Sequence, residues 1–297
     1  MSNTACDLKK IWEVEIDILE KLKSICKKYN LKYFAGSGTL LGAVRHNGFI
    51  PWDDDIDVSL LWSDYKIFTE VAQKECEYPY CFQSFHTNEN AIPNYCRIRR
   101  SDTTGMTRWE LENICDPDYD KGIFIDIFPL FYVPDSEEER AKQKKTVLDY
   151  WKIIRGHDAL NFNKKTGKTT VYDEYIPAYK EYCEKLGVAE ADIVKIKEAY
   201  IDACVWGDKR SSLVGSTANK CHVPTSLWPP EWFEDLIELP FENTTIACPR
   251  NYEKYLDIHF GLNWRTPIKG GAEHQFVALD TETPWREFDM TKLECSD

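Results

Sequence analysis

Trp52-Asp53-Asp54-Asp55-Ile56-Asp57-Val58 places four acids within five positions and then alternates acid with branched apolar residue. The alternation Asp55, Ile56, Asp57, Val58, Ser59, Leu60 predicts a strand of period two. On that strand Asp55 and Asp57 share one face, and Ile56 and Val58 the other. Two carboxylates side by side against an apolar sheet repel each other. A hard divalent cation removes the repulsion, and Mg²⁺ favours one or two protein carboxylates together with substrate phosphates. Other readings compete. Asp53 and Asp54 suit a solvated acidic turn. A calcium EF-hand loop beginning at Asp53 fails, because Val58 stands where it needs Gly and Asp64 where it prefers Glu. A purely structural acidic strand end leaves buried carboxylates unpaired, which is costly.

Working outward, Gly36-Ser37-Gly38 lies about twenty residues upstream, between a short strand (Lys32 to Ala35) and a short helix (Thr39 to Arg45). Small residues let a phosphate approach backbone N–H groups at a helix N-terminus. Downstream, Gly122-Ile123-Phe124-Ile125-Asp126-Ile127-Phe128-Pro129 holds one acid in an apolar strand. A lone buried carboxylate needs a partner. For Asp126 that is either a cation shared with Asp55 and Asp57 or an arginine.

The remaining pattern is irregular. An amphipathic helix spans Leu8 to Tyr29, closed by a left-handed Asn30. Ser63 is expected to cap a helix to about Lys74. Tyr80 to Phe85 and Tyr95 to Arg99 read as strands. Ser136 caps a helix that runs to about Ile154, and Asn161 to Thr170 reads as a loop. Tyr172 to Leu186 and Ala189 to Trp206 read as helices. A hairpin turns at Glu242-Asn243, and Tyr252 to Phe260 is a helix ended by Gly261. The order fits an α+β fold, a mixed β-sheet core with flanking helices and a helical insertion.

Composition narrows the function. The 297 residues carry 37 Lys+Arg against 50 Asp+Glu, a net charge of −13, which disfavours a nucleic-acid partner. No stretch approaches the ~20 apolar residues of a membrane helix, and the N-terminus lacks a signal core. The expectation is a cytoplasmic protein, compatible with peripheral membrane contact. The eleven cysteines show no Cys-x-x-Cys, so they read as reduced core thiols. Cys221-His222 has no partner at zinc-finger spacing.

The run Gly38-Thr39-Leu40-Leu41-Gly42-Ala43-Val44-Arg45-His46-Asn47-Gly48-Phe49-Ile50-Pro51-Trp52-Asp53-Asp54-Asp55-Ile56-Asp57 resembles the signature of the LicD family, the phosphocholine transferases and their fukutin-type relatives. Gly122 to Pro129 resembles the family's second block. Pro249 to Leu256, followed by Phe260-Gly261, resembles its C-terminal block. The resemblance implies a single LicD-type domain over residues 1–297 with a nucleotidyltransferase-like fold. Residues 8–135 would form the catalytic sheet core, 136–206 the helical insertion, and 207–297 a C-terminal part closing the site.

It also implies a transferase that moves a phospho-substituent, phosphocholine first among them, from a CDP-linked donor to a hydroxyl of a glycan or lipid-linked glycan, releasing CMP. Asp55, Asp57 and Asp126 are then the catalytic and metal residues, with Mg²⁺ (or Mn²⁺). Asp126 either completes the metal site or accepts the proton of the attacking hydroxyl. Gly36, Ser37, Gly38 and Thr39 would hold a phosphate. Arg45, His46, Arg97 and Arg99 are the basic candidates for the diphosphate. Trp52 is the foremost candidate, among ten Trp, for a cage around a quaternary ammonium. Three alternatives use similar residues. A nucleotidyltransferase would move NMP from an NTP and release pyrophosphate. A glycosyltransferase also uses Asp-x-Asp, but the upstream Gly-Ser turn argues against it. A non-catalytic glycan-binding module would not need all three carboxylates.

Overall fold

The computed structural model describes residues 5–206, 211–217, 226–270, 274 and 276–292. Cys221-His222 lies outside them. Helix α1 (Ala5–Tyr29) leads to strand β1 (Tyr33–Ala35), helix α2 (Ser37–His46), strand β2 (Asp57–Leu61) and helix α3 (Trp62–Glu75). Strands β3 (Tyr80–Gln83), β4 (Cys96–Arg100) and β5 (Thr104–Thr107) follow, then helix α4 (Arg108–Asn113) and the long strand β6 (Ile123–Val133). The segment expected as a helical insertion holds α5 (Glu137–Thr166), α6 (Ile176–Leu186) and α7 (Ile193–Cys204). The remainder comprises β7 (Leu213–Gly215), β8 (Leu236–Phe241), β9 (Thr244–Pro249), α8 (Tyr252–Phe260) and β10 (Phe276–Asp280).

The main sheet has the order β1-β2-β6-β4-β3, with β7 on the far end of β6. β2 runs parallel to β6, and the other pairs are antiparallel. The fold is therefore α+β around a mixed sheet. One face carries Val58, Leu60, Ile98, Ile125 and Ile127, all fully buried, and Ile18, Leu19, Leu22 and Phe68 of α1 and α3 cover it in one core cluster. The pleat sends the alternate residues to the opposite face. There the register aligns Asp57 with Asp126, and Asp126 with Arg97, across three adjacent strands.

The same core extends through Phe233, Phe241, Tyr255 and Leu256, so the C-terminal hairpin and α8 pack on the sheet core. The insertion has its own cluster around Ile154, Tyr179, Ile196 and Tyr200, joined to the sheet through Phe131. Among the described cysteines, Cys26, Cys96, Cys183, Cys204 and Cys248 are buried free thiols. No described helix is long and apolar enough to cross a membrane.

Several expected boundaries move. The strand begins at Asp57, not Asp55, so Asp53 to Ile56 is an extended loop entering the sheet. Ser63 is not the cap of α3: that helix starts at Trp62, and Leu61 precedes it without a side-chain cap. Asn161 to Thr166 is helical, not loop. Phe162 is buried there and the Asn163 amide donates to Asp173, so tertiary contacts override polar composition, and left-handed Gly167 ends the helix. Tyr172 to Leu186 divides into a short 3₁₀ turn and α6. The other caps fall as expected at Ser136, Asn30 and Gly261.

Gly42 shows why α2 needs small residues. A Cβ there would lie 2.4 Å from the Gly48 carbonyl oxygen. Gly42→Ala is expected to destabilise the protein by about 1–3 kcal/mol through overpacking, measured by urea unfolding.

Candidate active site

The acidic loop is fixed from behind by α1 and from the side by α2. The Trp12 indole N–H donates to the Asp53 carbonyl (2.9 Å), and Trp12 stacks on Phe49 (centroids 4.8 Å, planes 4° apart). The Asp57 backbone N–H donates to the Thr39 hydroxyl (2.8 Å), and the Gly36 N–H to the Asp57 carbonyl (3.0 Å). The Gly-Ser-Gly turn thus aims Asp57 through its backbone. Ser37 has φ 38°, a left-handed conformation, and its N–H donates to the Tyr255 hydroxyl at 3.3 Å. A Cβ on Gly38 would lie 2.8 Å from Asp53 Oδ2, so only glycine lets this carboxylate approach the helix start.

A cleft of about 660 Å³ opens over this face. Ser37, Gly38, Arg45, Trp52, Asp55, Asp57 and Asp126 line it, together with Trp228, Tyr255 and Trp264 from the C-terminal part. The Trp228 and Tyr255 rings stack at 4.5 Å. Arg45 is tied to the Trp264 carbonyl at 2.6 Å. Thr39 is buried and serves Asp57, and His46 contacts Arg45 Nε through Nδ1 at 3.4 Å without lining the cleft.

Arg97 and Arg99 do not stand where a phosphate could meet them. Arg99 is fully buried; its guanidinium donates to Gln83 Oε1 (2.7 Å), the Gly122 carbonyl (2.8 Å) and Glu110. Arg97 donates through Nε to Asp126 Oδ1 (2.6 Å) and through Nη1 to Glu110 Oε1 (2.8 Å). The Phe124 ring lies 3.7 Å from the Arg97 guanidinium carbon. The expectation of direct diphosphate contacts is corrected: the two arginines neutralise buried acids from within the sheet. Glu110 makes this network compact, because its other oxygen accepts the Thr107 N–H (3.1 Å) in a capping box at the start of α4. Burial alone would raise the Glu110 carboxyl; the two guanidinium groups hold it below the ordinary value.

The acids divide by environment. Burial would raise Asp126 too, but Arg97 and then His274 hold it at about 2. Among the described residues no arginine pairs with Asp55: burial, with repulsion from Asp57, pushes it well above the ordinary carboxylate range. Asp54 is buried, and neither of its oxygens has a hydrogen-bond partner. Such a set fits a divalent cation, since bound positive charge removes desolvation and repulsion together. Among the described residues, Asp54, Asp55 and His274 bring ligand atoms within 4.8 Å of one another.

Residues 30–166 match the family model described as LicD/FKTN/FKRP, nucleotidyltransferase domain. This segment is similar to that family's nucleotidyltransferase domain. Its motifs fall on α2, β2 and β6, which build the acidic side of the cleft. The chain is 36% identical over 99 residues to the lipopolysaccharide cholinephosphotransferase LicD of Haemophilus influenzae, covering 30% of this chain and 36% of that protein. It is 43% identical over 54 residues to the uncharacterized protein RT0683 of Rickettsia typhi, covering 18% of each. It is 47% identical over 47 residues to the uncharacterized protein RP689 of Rickettsia prowazekii, 16% of this chain and 18% of that one. These matches span about a third or less of the relatives' lengths.

Sequence reasoning missed Glu110 and His274. Thr107-x-x-Glu110 is a readable capping box, but nothing local says that its glutamate neutralises two arginines. His274 sits in a polar stretch without a motif. Glu110→Ala is expected to cost about 3–5 kcal/mol in denaturant unfolding, because it leaves buried guanidinium charge uncompensated.

Proposed function

We propose that this protein is a metal-dependent transferase. It moves a phospho-substituent, phosphocholine first among the candidates, from a CDP-linked donor to a hydroxyl of a cell-surface glycan or its lipid-linked precursor. CMP leaves. The observation that carries the reading is the register of Asp57 and Asp126 on adjacent strands, facing a cleft that also holds the Ser37 turn and several aromatic rings. The cleft's volume lies within the range of small-molecule sites, roughly 300–1,000 Å³.

Asp55 and Asp57, with Asp126, would hold Mg²⁺ (or Mn²⁺), which supplies charge neutralisation at the diphosphate when bound. The Ser37 hydroxyl and the Gly38 N–H would receive a phosphate oxygen at the start of α2, where the Ser37 N–H donates to Tyr255. Thr39 and Gly36 keep Asp57 oriented through its backbone. Asp126, held ionised by Arg97, is the carboxylate for the acceptor hydroxyl's proton if it is not occupied by metal. Arg45 remains the basic side chain at the cleft. Trp52 lines the cleft as the aromatic candidate for a quaternary ammonium, and the buried Trp228, Tyr255 and Trp264 also line it. Phe260 and Ile268 are exposed at the cleft, and Leu262 beside them is 80% exposed, an apolar rim suited to a lipid-linked acceptor. The reaction is assigned to the cytoplasm, before export of the glycan.

The test is CMP release from CDP-choline, CDP-ribitol and CDP-glycerol with Mg²⁺, with and without glycan acceptors. One donor is expected to turn over. Asp57→Ala should lower the rate by roughly 10²–10³-fold or more while the protein stays folded. Near-normal turnover in folded Asp57→Ala would contradict the assignment, and pyrophosphate release from an NTP would favour nucleotidyl transfer instead.

A further inference from the structure

At the acidic loop, with His274 itself lining the donor cleft, lies a group of polar atoms that the proposed transfer does not use. Glu15, on α1 one turn after Trp12, is fully buried, and both its carboxylate oxygens lack a hydrogen-bond partner. The same holds for both oxygens of Asp54 and for Nδ1 of His274. The His274 ring joins the two sides of the site. Its Nδ1 lies 3.8 Å from Asp54 Oδ1 and 3.5 Å from Asp55 Oδ2, and its Nε2 lies 3.5 Å from Asp126 Oδ2. Phe124 holds the ring edge-on at 5.0 Å. Burial drives Glu15 well above the ordinary carboxylate range, with Asp55 and Asp54 adding to it, which places Glu15 in the field of the same acids.

We propose that Asp54, Asp55 and His274 Nδ1 bind a resident divalent ion of the zinc or manganese class. The site shares Asp55 with the one that would hold the donor's magnesium and differs from it in Asp54 and His274. Three features carry this. The nitrogen and carboxylate oxygens are 3.5–3.8 Å apart, too far for a good hydrogen bond, yet near the ~3.3 Å separation of two ligands about 2.0 Å from one tetrahedral ion. Imidazole nitrogen suits zinc and related ions, whereas Mg²⁺ favours oxygen ligands and keeps its waters, which a buried Asp54 does not accommodate. Finally, a metal-bound histidine characteristically turns its other ring nitrogen to a carboxylate, and His274 Nε2 faces Asp126. Such an ion would fasten the chain entering β10 to the acidic loop and orient Asp126 through the imidazole. Asp55 would lie between the two cations.

The full-length protein, stripped with chelator and then dialysed against Zn²⁺ or Mn²⁺ without nucleotide, is expected to retain about one ion per chain by elemental analysis. His274→Ala and Asp54→Asn should each weaken retention by roughly tenfold or more. Asp57→Asn should retain the ion, which separates this site from the donor metal. X-ray absorption at the zinc edge should show nitrogen and oxygen neighbours with an imidazole signature. Wild-type protein that retains no ion would overturn the proposal without any variant, leaving His274 as a charged partner of the acids. Full retention in His274→Ala, sulfur neighbours at the zinc, or loss of the ion in Asp57→Asn would also overturn it.

Discussion

Carboxylates crowded onto one face of a sheet must be neutralised, and the structure does so unequally from its two sides. Asp57, Asp126 and Arg97 lie in one row across β2, β6 and β4. On the inner side Arg97 neutralises Asp126, and Glu110 balances Arg97 with Arg99. On the loop side, among the described residues, Asp54 and Asp55 have no such arginine, and the His274 imidazole is their neighbour. A buried pair gains Coulomb energy only when its remaining polar atoms are also satisfied. Arg99 meets that condition through Gln83 and the Gly122 carbonyl. The loop side does not, and that asymmetry directs cations to it.

The same constraint explains the backbone. Asp57 is held through its own N–H and C=O by Thr39 and Gly36, and it lines the cleft. Glycine at 38 and 42 lets α2 approach the acidic loop and the Gly48 turn. The signature run is thus one unit in which the glycines set distances and the acids set charge.

Much of this was legible in the chain. The Asp-x-Asp spacing, the Gly-Ser turn before it and the single acid of β6 are local patterns, and each lies at the cleft. The helix ends at Asn30, Ser136 and Gly261 were readable from capping chemistry. What escaped depends on partners distant in sequence. Arg97 and Arg99 resemble phosphate ligands until Glu110, on a helix absent from the pattern reading, is placed between them. Asn161 to Thr166 looks like a loop until Phe162 is buried and Asn163 meets Asp173. His274 carries no local signal and is brought to Asp55 only by the β5–β10 pairing. The resemblance fixed the kind of chemistry, while these tertiary neighbours decide which charges remain open to a ligand.

The net charge of −13 overstates the negative potential that a donor would meet, provided metal is bound at the acids. Calorimetric titration of CDP-choline into the protein, in Mg²⁺ and again in excess EDTA, tests this most directly. Binding in Mg²⁺ that disappears in EDTA and returns when Mg²⁺ is restored is the predicted result. Equally tight donor binding with and without metal would contradict the account.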